Sequence, residues 1–330
     1  MSKYKSLQVN ETNPGSYHNE IILKNIDDLP KGDVLIRVHY SSLNYKDALS
    51  SSGNKQITKV YPHTPGIDAS GIVEKSNCDD FNIGDYVIVT GFDLGMNTSG
   101  GFAEYIRVPK EWVVKLPQNL SLKESMIYGT AGFTAALCIN KLINAGVANT
   151  DGDILVTGAS GGVGSIAISI LSKLGYSVIA ATGKTDEKHR LIELGAKNVI
   201  SRYDLDDKSN KLLSKGLYVG VIDTVGGNIL ATALKSTKYG GVVSCCGNVM
   251  SGELITSVYP FILRGITLCG VDSVNCPKSL RQTIWNNLSN SWKLDKLDFL
   301  SNEITLKDLD TEINKMLKGK MVGRTLINLQ

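Results

Sequence analysis

Short segments of apolar or alternating residues, separated by turns, fill the first 125 residues of the chain. They include VLIRVHY at 34–40, DYVIVTGF at 85–92 and EYIRVPK at 104–110. A strand directs successive side chains to opposite faces, so segments of this kind are typical of antiparallel β structure. The pattern predicts a small, mostly antiparallel and partly barrel-like domain in this part of the chain.

From residue 122 the apolar spacing changes to that of a helix. The stretch LKESMIYGTAGFTAALCINKLINAG, residues 122–146, carries apolar residues three and four positions apart. Ser121 lies three positions before Glu124, which is the spacing of a helix capping box. A helix is therefore predicted to begin after Ser121 and to bridge two domains.

Apolar strands and amphipathic helices then alternate as far as residue 273. Parallel strands need a crossover helix between them, so this alternation predicts an α/β fold with a doubly wound parallel sheet. Six strands complete the dinucleotide-binding, or Rossmann, arrangement. The predicted strands are DILVTG at 153–158, SVIAAT at 177–182, NVISR at 198–202, VGVIDTV at 219–225, GGVVSCCG at 240–247 and ITLCGVDS at 266–273.

The length of 330 residues predicts two domains, since one domain takes about 150 residues. Residues 126–276 are predicted to form the nucleotide-binding domain. The amphipathic tail after Pro277 is predicted to rejoin the first domain, so that residues 1–125 and 277–330 together form a catalytic domain.

Composition narrows the choice of partners. A hydrophobic share of 42%, a charged share of 20% and a net charge of +3 describe an ordinary globular protein. No Lys/Arg run with interleaved aromatic residues suggests a nucleic-acid partner. No secretory signal or run of about 18 apolar residues is apparent, so we expect a cytoplasmic protein without a membrane partner. The six cysteines lack metal-site spacing and are interpreted as reduced thiols, with no metal site predicted.

A glycine-rich turn, TGASGGVG at residues 157–164, joins the first strand of the predicted parallel sheet to its helix. It can be written A-x-G-x-x-G, with Ala159, Gly161 and Gly164 at the three small positions. Between a strand and a helix, such a turn cradles the pyrophosphate of a dinucleotide with backbone amides. The alternative is a turn whose glycines serve close packing only.

The end of the second parallel strand distinguishes two dinucleotides. NAD-binding proteins usually carry an acidic residue about 20 positions after the glycines, where it holds the ribose hydroxyls. Here the sequence reads ATGKT, with Lys184 in that region and Arg202 at the end of the third strand. Cations at this place suit a 2′-phosphate, so NADP(H) is the predicted cofactor. Alternatively, both cations are solvated surface residues.

Two further polar residues follow later strands of the predicted sheet. Asn248 comes after the fifth strand and Ser273 ends the sixth. Ligands bind at the carboxyl edge of such sheets, so both residues are candidates for contact with the nicotinamide or its ribose. A purely structural role in a turn is nearly as good an interpretation of each.

Five segments together resemble the medium-chain dehydrogenase/reductase superfamily, and within it the branch of acrylyl-CoA reductases and quinone oxidoreductases. The likeness spans nearly the whole chain. The segments are SSLNYKDAL at 41–49, PGIDASG at 65–71, GTAGFTA at 129–135, TGASGGVG at 157–164 and PFILRGITLCGVDSV at 260–274.

The resemblance implies a GroES-like catalytic domain, a Rossmann domain, a homodimer and a set of cofactor-binding residues. A homodimer is also what the apolar last strand, with its exposed edge, would favour. The implied cofactor site is made by Tyr45, Ser160, Gly161, Gly162, Val163, Thr182, Gly183, Lys184, Arg202, Asn248, Ile262, Ser273 and Lys320.

The zinc ligands of related alcohol dehydrogenases are missing, and Ile67 and Asp68 stand where those enzymes carry a His-Glu pair. The expected activity is therefore NADPH-dependent reduction of an activated double bond, with acrylyl-CoA as the leading substrate. Reduction of a quinone is the alternative enzyme activity. A catalytically silent NADPH-binding redox sensor is the alternative from another class.

The segment NYKD at 44–47 supplies the candidate catalytic residues Asn44, Tyr45 and Asp47. Asn44 and Tyr45 could donate hydrogen bonds to an oxygen that gains charge during hydride transfer. A structural interpretation exists beside this one, since Asn44 and Asp47 have the spacing of a capping box that would open a helix at Tyr45.

Overall fold

A computed structural model describes residues 3–209 and 211–330 and divides the chain into two units. The first unit runs to Thr130 and includes Val274–Asn290 and Lys296–Gln330, whereas the second comprises Ala131–Ser273 and Ser291–Asp295. The division predicted from the sequence, at 125/126 and 276/277, differs from these bounds by three to five residues and does not separate Ser291–Asp295.

The six parallel strands follow each other in the predicted order, whereas the strands Lys3–Asn13 and Ser16–Asn25 and the helix Tyr259–Arg264 were not predicted. Up to the division the elements are β1 (Lys3–Asn13), β2 (Ser16–Asn25), β3 (Val34–Ser42), α1 (Tyr45–Ser51), β4 (Asp68–Ser76), β5 (Tyr86–Thr90), β6 (Tyr105–Val108), β7 (Val113–Lys115) and α2 (Leu122–Asn144). The second unit adds β8 (Asp153–Thr157), α3 (Gly162–Lys173), β9 (Ser177–Thr182), α4 (Lys188–Glu193), β10 (Asn198–Ser201), β11 (Tyr218–Asp223), α5 (Gly227–Lys235), β12 (Thr237–Cys245), α6 (Tyr259–Arg264) and β13 (Thr267–Gly270). The remaining elements are α7 (Lys278–Ser289), β14 (Ser301–Ile304), α8 (Leu309–Leu317) and β15 (Arg324–Asn328).

The first unit is built on a seven-stranded sheet in the order β14-β15-β3-β4-β5-β7, with β6 paired to β3. All neighbours are antiparallel except β14 and β15, which are parallel. The prediction of a mostly antiparallel domain is therefore confirmed. Alternate residues of β3, namely Val34, Ile36 and Val38, are buried in one apolar core with Leu309 and Ile313 of α8.

Strand register brings the ends of three strands of this sheet together. Ser42 at the end of β3 pairs with Leu326 of β15, and Asp68 at the start of β4 is bonded through its carbonyl to the hydroxyl of Ser41 at 2.6 Å. Because β15 begins at Arg324 and both neighbours of β3 run antiparallel to it, the polar residues at these strand ends lie at the same end of the sheet. The candidate site of the first unit forms here.

The second unit contains a fully parallel sheet in the order β10-β9-β8-β11-β12-β13. The chain starts at β8 in the middle and extends first to one edge and then to the other, which is the doubly wound arrangement. The predicted six-stranded Rossmann sheet is confirmed. Its carboxyl ends, including Thr157, Thr182 and Ser201, all lie along one edge.

Helix α2 begins as the sequence predicts. The Ser121 N–H donates to Glu124 Oε2 at 2.8 Å, and the Glu124 N–H donates to Ser121 Oγ at 3.1 Å, so the capping box is confirmed. Contrary to the expectation from the sequence, α2 is long and apolar enough to cross a membrane by length and composition. However, 78% of its most apolar window is buried, as in a core helix, and a cytoplasmic location stays a prediction.

Candidate active site

The glycine turn between β8 and α3 brings together several of the predicted cofactor residues. A Cβ atom on Gly164 would lie 2.4 Å from the Gly158 carbonyl oxygen, so only glycine permits this approach of helix and turn. The hydroxyls of Ser160 and Thr182 are 3.0 Å apart, and Thr182 Oγ1 accepts the Lys184 N–H at 3.0 Å. The turn is thus tied to the end of β9, where the 2′-hydroxyl of a bound ribose is expected.

Two cations stand beside this turn. Lys184 is half-buried, and its burial lowers the pKa of the ammonium group from its ordinary value, an effect that Glu187 opposes. Arg202 is exposed and lies against Gly183, where an added Cβ would be 2.7 Å from Arg202 Nε. Within residues 3–209 and 211–330, no carboxylate forms an ion pair with Arg202. The donor set therefore fits a phosphate on the ribose.

The carboxyl ends of β12 and β13 border an open cleft of about 550 Å³. Its lining residues are Cys245, Cys246, Gly247, Asn248, Gly270, Val271 and Asp272. Of the remaining predicted cofactor residues of the second unit, Ile262 is an exposed residue of α6 and Ser273 is half-buried after β13. Lys320 and Tyr45 belong to the first unit, where both are exposed.

In the first unit, the buried carboxylate of Asp68 gathers hydrogen-bond donors from three residues. Asp68 Oδ2 accepts from Ser42 Oγ at 2.7 Å, from Asn44 Nδ2 at 2.7 Å and from the Thr130 N–H at 2.9 Å. Its other oxygen accepts from Thr130 Oγ1 at 2.5 Å. We call Ser42, Asn44, Asp68, Thr130 and Arg324 the Asp68 cluster.

Arg324 supplies the positive charge of the Asp68 cluster. Its Nη2 lies 3.7 Å from Asp68 Oδ2 and donates to Ser42 Oγ at 2.7 Å, and its Nη1 donates to Asn44 Oδ1 at 3.1 Å. The guanidinium is 3% exposed, and this burial lowers its pKa although Asp68 and Asp47 oppose the shift. A buried charge needs a partner and a full set of acceptors, and this arginine has both.

Asn44 is fully engaged within the cluster. Its amide nitrogen donates to the Ser42 carbonyl at 3.1 Å as well as to Asp68 Oδ2, and its amide oxygen accepts from Arg324. Both amide hydrogens are therefore used inside the protein. The sequence offers Asn44 as a donor to a substrate oxygen, but in this geometry both of its amide hydrogens are already donated within the protein.

An interruption in α2 completes the cluster. Gly129 has φ 49° and ψ −155°, values outside the helical region, and its Cβ would lie 2.5 Å from both Asp68 Oδ2 and Ser42 Oγ. The break directs the Thr130 N–H to Asp68 and leaves the Ile127 carbonyl to accept from Arg324 Nε at 3.0 Å. Helix α2 thus contributes a donor and an acceptor that an unbroken helix would use internally.

Asp47 is a second buried carboxylate, bound by backbone groups. Its Oδ2 accepts the Asn44 N–H at 2.8 Å, and its Oδ1 accepts the N–H groups of Gly66 at 3.1 Å and Ile67 at 2.8 Å. Asn44 and Asp47 form the capping box that the sequence allowed, at the start of α1. Burial, reinforced by the negative charge of Asp68, raises the pKa of Asp47 to about 7.

Tyr45 differs from its neighbours in being accessible. It is the first residue of α1, between the buried residues Asn44 and Asp47, and 42% of its surface is exposed. The cluster and the capping box hold the backbone on both sides of Tyr45. Tyr45 is therefore an accessible aromatic side chain on a backbone that hydrogen bonds hold in place.

Sequence reasoning found part of this site. It singled out Asn44, Tyr45 and Asp47, and it noted Asp68 only as the residue standing in the place of a zinc ligand. Arg324 and the cluster role of Ser42 were missed, because an arginine in GRT carries no local signal and its partners lie up to 282 positions away. The acidic residue that opens the apolar strand β4 was the available signal, since a charge in a buried strand needs a partner.

The doubly wound sheet with its glycine turn defines a class of dinucleotide-binding oxidoreductases. Residues 162–290 match the zinc-binding dehydrogenase family, and residues 30–118 match the alcohol dehydrogenase GroES-like domain. YhfP of Bacillus subtilis, which carries the name "putative quinone oxidoreductase", is 46% identical over 92% of both chains. The acrylyl-CoA reductase AcuI of Ruegeria pomeroyi is 38% identical, also over 92% of both chains.

Solved structures agree with these relatives. The YhdH oxidoreductase of Salmonella enterica, crystallised with NADP, superposes with a TM-score of 0.96 at 42% identity and covers 99% of this chain and 100% of its own. YhfP crystallised with NAD superposes with a TM-score of 0.97 at 44% identity over the full length of both chains. The chain belongs to the quinone oxidoreductase-like family of medium-chain dehydrogenases/reductases. It is an NADP-binding oxidoreductase, as the glycine turn and its cations predict.

The Asp68 cluster does not fit a zinc ion, although a matched family carries zinc in its name. The two oxygens of Asp68 already accept four hydrogen bonds, and the Arg324 guanidinium supplies the positive charge next to them. Throughout the described part of the chain, no three His, Cys, Asp or Glu side chains are grouped so as to hold a metal. We therefore derive no metal-assisted step.

Proposed function

We propose that the protein is an NADPH-dependent, zinc-independent reductase of activated carbon–carbon double bonds, converting acrylyl-CoA to propanoyl-CoA. The observation that carries the proposal is Tyr45, which is 42% exposed and stands in the chain between Asn44 and Asp47, whose polar groups are buried and hydrogen-bonded. A hydroxyl on a residue whose neighbours are fixed in this way can donate to a substrate oxygen that gains charge, without a metal. Similarity to AcuI supports the substrate class.

Bound NADPH would supply a hydride to the β-carbon of the enoyl thioester. Negative charge then develops on the thioester oxygen, and the α-carbon takes a proton to complete the saturated product. In this proposal the Tyr45 hydroxyl donates a hydrogen bond to that oxygen. Asn44 and Asp47 act as positioning residues, because their polar atoms are used to hold the start of α1.

The cofactor assignments of single residues form part of the proposal. The backbone of Ser160–Val163 would bind the pyrophosphate, while Lys184 and Arg202 would bind the 2′-phosphate. Asn248 would contact the nicotinamide end from the cleft beside β12 and β13. Support comes from the shared edge of the sheet, since ligands of doubly wound folds bind there.

The decisive experiment follows NADPH oxidation with acrylyl-CoA, crotonyl-CoA and a panel of quinones in parallel. We expect turnover to be fastest with acrylyl-CoA. Tyr45→Phe should lower kcat by about 100-fold, in the range seen for loss of one oxyanion donor, because only the hydroxyl is removed. Tyr239→Phe, at a tyrosine of the second unit that is 83% exposed, serves as the matched control and should leave kcat unchanged.

Quinone reduction is the second candidate, favoured by the 46% identity to YhfP. It would be supported if quinones were turned over and neither thioester was. Absence of turnover with every acceptor, together with intact NADPH binding, would instead favour a catalytically silent redox sensor. An unchanged kcat in Tyr45→Phe would contradict the role given to that hydroxyl.

We also propose a homodimer formed through β13. This strand ends the sheet order, so one side of its backbone has no neighbouring strand among the described residues. Edges of this kind pair readily with another chain. The preceding segment exposes apolar side chains that association would cover, namely Val258, Ile262 and Leu263.

A further inference from the structure

Arg202 begins a short 3-10 helix, Arg202–Leu205, whose backbone is fixed by local hydrogen bonds. Ser201 Oγ accepts the Tyr203 N–H at 3.2 Å, and the Ser201 N–H donates to Asp204 Oδ2 at 3.1 Å. Strand register pairs Ser201 of β10 with Thr182 of β9, so Arg202 starts opposite Gly183. The position of the Arg202 backbone is therefore settled before any ligand binds.

The side chain of Arg202 rests on Gly183. A Cβ at position 183 would lie 2.7 Å from Nε, 2.8 Å from Cδ and 2.9 Å from Cζ of Arg202. These distances are shorter than a carbon atom tolerates, so the guanidinium can lie here only because residue 183 has no side chain. Gly183 thus provides one of the surfaces that fix the position of the Arg202 side chain.

Tyr203 forms a second contact with the same guanidinium. The Arg202 Cζ lies 5.2 Å from the centre of the Tyr203 ring, and Arg202 Nη2 donates to Tyr203 Oη at 3.4 Å. Tyr203 is 69% exposed, so its ring contributes little to the core and its contact with Arg202 is its evident role. Arginine stacked on an aromatic face is held more firmly than a solvated one.

The charges around Arg202 leave the guanidinium available to an anion. Glu187 lies close enough to Lys184 to act on its pKa, and Asp204 accepts a backbone N–H of Ser201. Within the described residues, no carboxylate lies within ion-pair distance of Arg202. An exposed guanidinium that is held in place and lacks a carboxylate partner is ready to bind a phosphomonoester through two N–H bonds.

We propose that Gly183 and Tyr203 are positioning residues that orient Arg202 toward the 2′-phosphate and so set the preference for NADPH over NADH. The inference rests on the proposed assignment of Arg202 to that phosphate. A pre-oriented side chain loses less conformational freedom when the ligand binds, which strengthens binding of the phosphorylated cofactor alone.

The test titrates the full-length protein with NADPH, NADH and adenosine 2′-monophosphate and measures Kd by calorimetry. Tyr203→Ala should weaken the binding of NADPH and of adenosine 2′-monophosphate by about tenfold, which is the range expected for one immobilised side chain. The Kd for NADH should change by less than about twofold. Gly183→Ala should act in the same direction. Tyr239→Ala, at an exposed tyrosine of the same unit, is the control and should change none of the three.

A double variant separates positioning from direct contact. If Tyr203 acts through Arg202, then adding Tyr203→Ala to the Arg202→Ala variant should cause no further loss of affinity for NADPH. Equal weakening of NADPH and NADH by Tyr203→Ala would overturn the inference, because it would indicate contact with the adenosine. If Arg202→Ala leaves the ratio of the affinity for NADPH to the affinity for NADH unchanged, the assignment of Arg202 to the 2′-phosphate itself fails. If that affinity ratio falls in Arg202→Ala while Tyr203→Ala changes the affinity for neither cofactor, only the positioning role of Tyr203 fails.

Discussion

Asp47 and Asp68 are both buried carboxylates of the first unit, yet different groups stabilise their negative charges. Asp68 receives side-chain donors and the Arg324 guanidinium, whereas Asp47 is held mainly by backbone N–H groups. Backbone dipoles stabilise a buried charge less fully than a cation does, and Asp68 adds a repulsive charge. Asp68 therefore organises the cluster, whereas Asp47 is easily protonated.

The raised pKa of Asp47 predicts a specific pH dependence of stability. The unfolded chain ionises this group near 3.8 and the folded protein near 7, so the folded state holds the extra proton between these values. Stability from this group is complete below pH 3.8 and is lost as pH rises to about 7, by an amount of order 4 kcal/mol. In Asp47→Asn this loss should be absent, which urea unfolding at several pH values in that window will show.

The comparison uses the difference between parent and variant, because other carboxylates contribute to the slope of both proteins. Absolute stability of Asp47→Asn will differ as well, since an amide replaces an acceptor of three N–H groups. Parallel curves for the two proteins across the window would show that Asp47 ionises at its ordinary pH in the fold.

Arg324 offers a test of the cluster by a conservative change. Arg324→Lys keeps the charge and removes the planar fork that serves Ser42, Asn44 and the backbone, so we expect a loss of about 3 kcal/mol in unfolding free energy. Arg37→Lys is the matched control, because Arg37 and Glu74 form an exposed pair 3.7 Å apart. Denaturant unfolding should show at most about 0.5 kcal/mol there, and equal losses in both variants would refute a special role for Arg324.

Single residues were predictable from the sequence where their signal is local. The spacing of Asn44 and Asp47 already indicated a capping box, whereas the assignment of Lys184 to a 2′-phosphate stays a prediction. The pairing of Asp68 with Arg324 spans 256 positions, and no pattern near either residue announces it. Long-range polar contacts depend on strand register, which the apolar pattern does not specify finely enough.

At the scale of elements, the interruption of α2 at Gly129 has the largest consequence. Gly129→Ala would force a side chain into a left-handed conformation and into the Asp68 cluster, 2.5 Å from two oxygens. The expected cost is about 2–5 kcal/mol, the sum of a conformational term and an overpacking term. Thermal or denaturant unfolding measures it directly.

Gly146, which follows α2, provides the control for this substitution. It also has positive φ, at 89°, but a Cβ there would meet nothing within 4 Å. Gly146→Ala should therefore show only the conformational cost, about 1–2 kcal/mol. If both variants lose the same stability, the space beside Asp68 is larger than the structure indicates and the cluster is not tightly packed.

Elements were the most predictable level of this fold. All six parallel strands and the start of α2 follow from periodicity and capping, because these signals are local and repeated. The break within α2 was not predicted, since GTAGFTA continues the helical spacing of apolar residues on both sides. Only the contacts of the fold show that Gly129 is required by partners from β3, β4 and β15.

At the scale of the whole molecule, the proposed dimer makes a simple prediction. Val258→Glu combined with Leu263→Glu adds charge at side chains that are 63% and 56% exposed, so the fold should be retained. Sedimentation equilibrium should give twice the chain mass for the parent and the single-chain mass for the variant.

Ile83→Glu, at a residue of the first unit that is 74% exposed, should leave the parent's mass unchanged. A parent protein that sediments with the mass of one chain would remove the dimer proposal. Length and the change in strand pattern near residue 122 predict two domains, and the two units of the structure have bounds that differ from the predicted ones and include the separate segment Ser291–Asp295.

The discontinuous first unit also has a consequence for synthesis. Asp47 and Asp68 leave the ribosome 256 or more residues before Arg324, a delay of roughly 13 to 51 s at about 5–20 residues per second. Until Arg324 is made, Asp68 has no guanidinium to neutralise it, whereas every strand of the parallel sheet has been made by residue 270. We expect the nucleotide-binding unit to fold on the nascent chain first, while the first unit waits for a strand that is translated after it.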